Sequence, residues 1–118
     1  MSKDPVIYLE HILERVSRIL EFTADTTEKQ FLADAQLQDA TIRNFEVIGE
    51  ATKQLLPELT QRYPDIEWKK MAGMRDKLIH DYIDVDLWAV WDTVESVLPA
   101  FKLQLVIIIE AERNRKPD

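Results

Sequence analysis

The 118-residue chain has no cysteine, only two glycines and only two histidines. The missing cysteine removes a disulfide framework, thiolate metal ligands and a cysteine nucleophile together. Two glycines, Gly49 and Gly73, are too few for a turn-rich β fold and suit long helices. Two histidines, His11 and His80, supply metal chemistry poorly, and the many acids are scattered without the clustered spacing of a metal loop. No metal site is expected. A glycine-rich phosphate cradle and a serine nucleophile elbow are both missing. The most apolar run, "LQLVIII" from Leu103 to Ile109, falls far short of the ~18 residues that a membrane span requires. Charges interrupt the apolar pattern of "MSKDPVIYLEHILERV" at the start. No secretory signal is therefore expected, and a cytoplasmic location is.

What the chain does hold is a balance of 46% hydrophobic and 31% charged residues. That suits one domain over 1–118, with a real core and a soluble surface. A chain this short buries a modest fraction of its surface, so a stable dimer is an attractive way to bury more. The formal net charge of -7 is a poor overall grip for nucleic acid. The balance is uneven, however. Between Arg62 and His80, five cations (Arg62, Lys69, Lys70, Arg75 and Lys77) stand against Asp65, Glu67 and Asp76.

Apolar residues recur at helical steps nearly throughout. Asp4 and Pro5 make a helix start, followed by Val6, Leu9, Ile12, Leu13, Val16, Ile19 and Leu20 on one face. The pattern fades between Phe22 and Thr27, a short helix fits Glu28 to Leu32, and Asp34 can cap a second long helix. Pro57 and Pro64 break the middle, with a short helical piece between them at Glu58 to Arg62. A further helix runs from about Ile66, "DYIDVD" reads as a connector, and Asp86 can cap a last helix from Leu87 to about Arg113. A kink is expected there at Pro99. The expected fold is all-α, an up-and-down bundle of four to five helices. "LVIII" is β-branched, but the helical spacing continues through it. A helix apolar on nearly all sides must be buried on more than one side, against a second subunit or at the centre of the core.

The stretch "MRDKLIHDY" stands out. Around a continuous helix, Arg75 and His80 lie about 140° apart. Arg75 shares a face with Met71, Met74, Leu78 and Tyr82, while His80 shares the other with Gly73, Asp76 and Lys77. A buried guanidinium needs an anion: either a carboxylate such as Glu46 or Glu50, or a ligand phosphate. His80 can move a proton near neutral pH. Asp76, four residues before it, can orient the ring. Arg75 offers a planar fork suited to phosphate oxygens. Base, orienter and oxyanion clamp are what cleavage of a phosphodiester by its neighbouring 2′-hydroxyl requires, without a metal. Because Arg75 and His80 point different ways, two copies of this helix facing each other would complete one cleft.

The pattern Arg75-x4-His80-x-Tyr82 resembles the signature of the HEPN superfamily, and the tyrosine variant resembles the HepT toxin family. "TIRNFEVIGEATKQL", from Thr41 to Leu55, is similar to that family's central helix. "WKKMAGMRDKLIHDYIDVDLWAVWDTVESVLP", from Trp68 to Pro99, is similar to its motif helix, connector and final-helix start. The resemblance implies a HEPN-like, homodimeric bundle acting as a metal-independent endoribonuclease toxin on tRNA or mRNA, leaving a 2′,3′-cyclic phosphate and a 5′-hydroxyl. It makes Arg75 and His80 the catalytic pair; Asp76, as orienter of the ring, is counted with them as catalytic, and Lys70 and Lys77 nearby are expected to contact RNA. Asp76 stands where many members carry asparagine. The toxin would be silenced by AMPylation of Tyr82 by a minimal nucleotidyltransferase antitoxin, and the added phosphates and adenines would fill the cleft and repel RNA. ATP and Mg2+ then belong to that partner, and this chain needs no cofactor. Two other readings are a non-catalytic nucleotide- or RNA-binding adaptor partnering a nucleotidyltransferase, and a purely structural dimerisation module.

Overall fold

The computed structural model describes residues 4–80 and 84–115, with the backbone but not the side chains of Arg75, Ile79 and His80. Seven helical segments are present among them, and no strand. They are α1 (Pro5–Phe22), α2 (Glu28–Leu32), α3 (Ala35–Lys53), α4 (Pro57–Arg62), α5 (Trp68–His80), α6 (Leu87–Ser96) and α7 (Leu98–Arg113). The fold is an all-α bundle, as the apolar spacing implies.

Local chemistry sets most of the helix starts. Asp4 Oδ1 accepts from the Val6 N–H at 2.9 Å, with Pro5 in the first turn. Thr27 and Gln30 form a reciprocal capping box on α2, at 2.9 and 3.1 Å. Asp34 caps α3 through the Leu37 N–H at 3.0 Å, and Asp86 caps α6 through the Ala89 N–H at 3.1 Å. Between α1 and α2 the chain turns through Asp25 at φ 61°, a left-handed conformation that aspartate tolerates.

Packing runs across the bundle in the order α5, α3, α1, α7, with α6 against α7 and α2. Leu9, Ile12, Val16 and Ile19 of α1, Phe45 and Ile48 of α3, and Leu98, Phe101 and Leu105 of α7 are buried to 1% exposure or less. Each such side chain contributes roughly 1.5–3 kcal/mol by leaving water. Phe31 of α2 stacks on Trp91 of α6 with centroids 5.0 Å apart. The polar residues inside α3 are satisfied locally: Thr41, Asn44 and Thr52 each donate to the carbonyl four residues back.

The last stretch differs from a single kinked helix. α6 ends at Ser96 and α7 begins at Leu98, so Pro99 lies in a first turn rather than a helix interior. Proline there gives up an N–H that needs no intrahelical partner. Within "LQLVIII", Leu105, Ile108 and Ile109 are buried, whereas Leu103, Val106 and Ile107 are 67, 49 and 69% exposed. Half of the apolar run is thus uncovered in the single chain.

Candidate active site on the fifth helix

Trp68 anchors the start of α5. Its indole Nε1 donates to the Tyr63 carbonyl at 3.0 Å, and its ring meets Phe101 of α7 edge-on at 6.2 Å. The turn before it is held by a second clasp. Glu112 of α7, with a side chain only 4% exposed, accepts from Arg62 Nη2 at 2.7 Å and from Tyr63 Oη at 2.6 Å. Burial alone would raise the Glu112 pKa, but these hydrogen bonds outweigh it and hold the carboxyl below its usual range. Burial, and the bond to that carboxylate, push the Tyr63 hydroxyl up.

From this anchor, α5 runs along α3, burying Met71 and Leu78 with Met74 partly covered. Arg75 falls four residues after Met71 and three before Leu78 in the helix register. His80 closes the helix, on the register of Gly73, Asp76 and Lys77, two of which are exposed. The two motif residues therefore occupy different sides of one helix, as their spacing requires. Tyr82 lies outside the described residues. Glu46 and Glu50, the carboxylates considered for Arg75, stand on α3, half-buried and exposed respectively. His11 is exposed on α1.

Asp76 is engaged across the helix pair. Its carboxylate forms an ion pair with the ammonium of Lys53 in the last turn of α3. Lys53 is a cation that sequence reading missed at this place, because 23 residues separate the pair and no local pattern joins them. It offsets the charge that Asp76 brings to the motif helix. Lys70 and Lys77 stand exposed on α5 and line a groove of about 300 Å³ against α6. Among the described residues, no group of three His, Cys, Asp or Glu side chains is placed to hold a metal ion. No described helix is long and apolar enough to cross a membrane.

Fold and motif together define a small all-α domain with an arginine and a histidine five residues apart on one packed helix. The family model described as Ribonuclease HepT-like matches residues 12–108, and the chain belongs to that family. It is 44% identical over 102 residues to "Probable ribonuclease HepT" of Thermococcus cleftensis, covering 86% of this chain and 93% of that one. To "Putative RNase TTE0752" of Caldanaerobacter subterraneus it is 37% identical over 111 residues, covering 94% and 99%. A longer protein of Methanocaldococcus jannaschii, "Gamma-glutamylcyclotransferase and putative RNase MJ0434", is 46% identical over 110 residues. The match takes in 93% of this chain but only 50% of that protein. No solved structure matches significantly.

Proposed function

We propose that the chain is a metal-independent endoribonuclease toxin of a toxin–antitoxin pair, cutting tRNA or mRNA in a cleft between two copies. The observation that carries this reading is the Arg75-x4-His80 motif, on a helix anchored at its start by Trp68 and tied to α3 through Asp76, in a chain of the HepT-like ribonuclease family. The imidazole of His80 takes the 2′-hydroxyl proton, and the freed oxygen attacks phosphorus. The P–O5′ bond breaks, leaving a cyclic phosphate, and the departing oxygen takes up a proton to give a 5′-hydroxyl. The Arg75 guanidinium neutralises charge gathering on the non-bridging oxygens. Asp76 orients His80, and Lys70 and Lys77 hold flanking phosphates.

Supporting the dimer is the uncovered apolar side of α7, Leu103, Val106 and Ile107, which a second copy would cover. Tyr82 is the residue on which a nucleotidyltransferase partner, with its own ATP and magnesium, adds AMP units. The test is RNA cleavage and growth arrest by Arg75→Ala and His80→Ala. Both activities are expected to vanish while the helical spectrum is retained; full toxicity in both variants would refute the reading. The net charge of -7 favours a second reading, a non-catalytic RNA- or nucleotide-binding adaptor partnering a nucleotidyltransferase. Purified protein that binds RNA and never cuts it would select that one.

A further inference from the structure

The chain has three tryptophans. Trp68 and Trp91 are 7 and 3% exposed, each packed against a phenylalanine, whereas Trp88 is 60% exposed. An indole left this open forgoes much of the free energy its burial would give. Trp88 lies in the first turn of α6, four residues before Asp92, and so shares a face of that helix with it. Asp92 is one wall of the groove between α5 and α6, whose other wall carries Lys70 and Lys77.

The two lysines are seven residues apart, two turns and about 10 Å along the helix axis. Gly73 lies between them, and a Cβ built there meets nothing within 4 Å, so the groove is open at its middle. Cations therefore line the α5 wall, and Trp88, outside the groove's own α6 lining of Ala89, Asp92 and Thr93, offers a flat π surface one turn before Asp92. That combination is what an unpaired nucleic-acid strand requires: phosphates meet the ammoniums and a base stacks on the indole. In a duplex the bases are already stacked on one another, with no face to offer. Asp92 would repel a phosphate, which places the backbone along α5 and the bases toward α6.

We propose that this groove is the path by which a single-stranded segment of RNA reaches the motif helix, with Lys70 and Lys77 on its phosphates and Trp88 stacked on a base. The inference rests on the ribonuclease reading and adds the strandedness of the substrate and a binding residue outside the motif.

The test uses a 2′-O-methyl RNA oligonucleotide of about ten residues, which lacks the attacking hydroxyl and stays intact. Tryptophan emission and binding anisotropy are recorded for wild type, Trp88→Ala, Trp88→Phe and the Lys70→Ala/Lys77→Ala pair, beside cleavage of the ordinary RNA. Binding should quench wild-type emission, and Trp88→Ala should weaken affinity on the order of 10-fold while Trp88→Phe keeps most of it. The lysine pair should flatten the salt dependence by a slope of about 1.4. RNA bound and cut by wild type with its emission unchanged, and equally well by Trp88→Ala, would overturn this inference alone. A wild type that neither binds nor cuts RNA would overturn the ribonuclease reading with it.

Discussion

Lys53, in the last turn of α3, forms an ion pair with Asp76 in the middle of α5, joining the two helices beside the motif. Both side chains are more than a third exposed, 35 and 44%, so the pair is worth at most about 1 kcal/mol to stability. Its weight lies in electrostatics. Removing Lys53 takes one cation away from the Asp76 carboxylate on the motif helix. Lys53→Met is therefore expected to raise KM for RNA several-fold with little change in melting temperature. Lys53→Met/Asp76→Asn should restore much of the loss, because the amide keeps a hydrogen-bonding group without the charge. Steady-state kinetics on the single and double variants check this. A double variant as impaired as Lys53→Met would show that the charge of Asp76 is not the cause.

The clasp of Arg62, Tyr63 and Glu112 has a pH signature. The Glu112 pKa is depressed in the folded chain, relative to an unfolded value of about 4.3. Its contribution is complete above that value and is lost as pH falls through the folded one. Glu112→Gln should lower stability at pH 7 by about 1–2 kcal/mol, and the gap to wild type should narrow on acidification below pH 4. Urea midpoints at pH 7 and pH 3 measure it. An equal gap at both values would contradict the assignment.

Covering the exposed side of α7 is the expected basis of self-association. Leu103→Lys/Ile107→Lys changes two side chains that are already in solvent, so the fold should persist and the protein should sediment as a monomer. If cleavage needs two copies of α5, activity falls with it. Unchanged mass and activity would place the interface elsewhere.

The proposed modification of Tyr82 has a covalent readout. With the nucleotidyltransferase partner, ATP and magnesium, the peptide carrying Tyr82 should gain AMP in a mass spectrum and RNA cleavage should cease. Tyr82→Phe should gain nothing and resist silencing.

Much of this was legible in sequence because it is encoded locally. Asp4, Asp34 and Asp86 cap the helices whose starts their spacing marks, and the pieces at Glu28–Leu32 and Pro57–Arg62 follow from caps and prolines. The motif helix and its family were legible for the same reason. The break before Leu98 was not, because proline suits a first turn as well as it disrupts an interior. Nor were the Lys53–Asp76 and Tyr63–Glu112 contacts, which join residues 23 and 49 apart through tertiary packing alone. That Trp91 is buried and Trp88 exposed depends on where α2 lies, since Phe31 supplies the cover.

The most direct measurement is end-group analysis of RNA incubated in EDTA with purified protein unmodified at Tyr82, wild type beside His80→Ala. Cleavage by wild type alone, leaving a 2′,3′-cyclic phosphate and a 5′-hydroxyl, is the expected result. RNA left intact by the wild type, or cut equally by both proteins, would contradict a metal-free nuclease centred on His80.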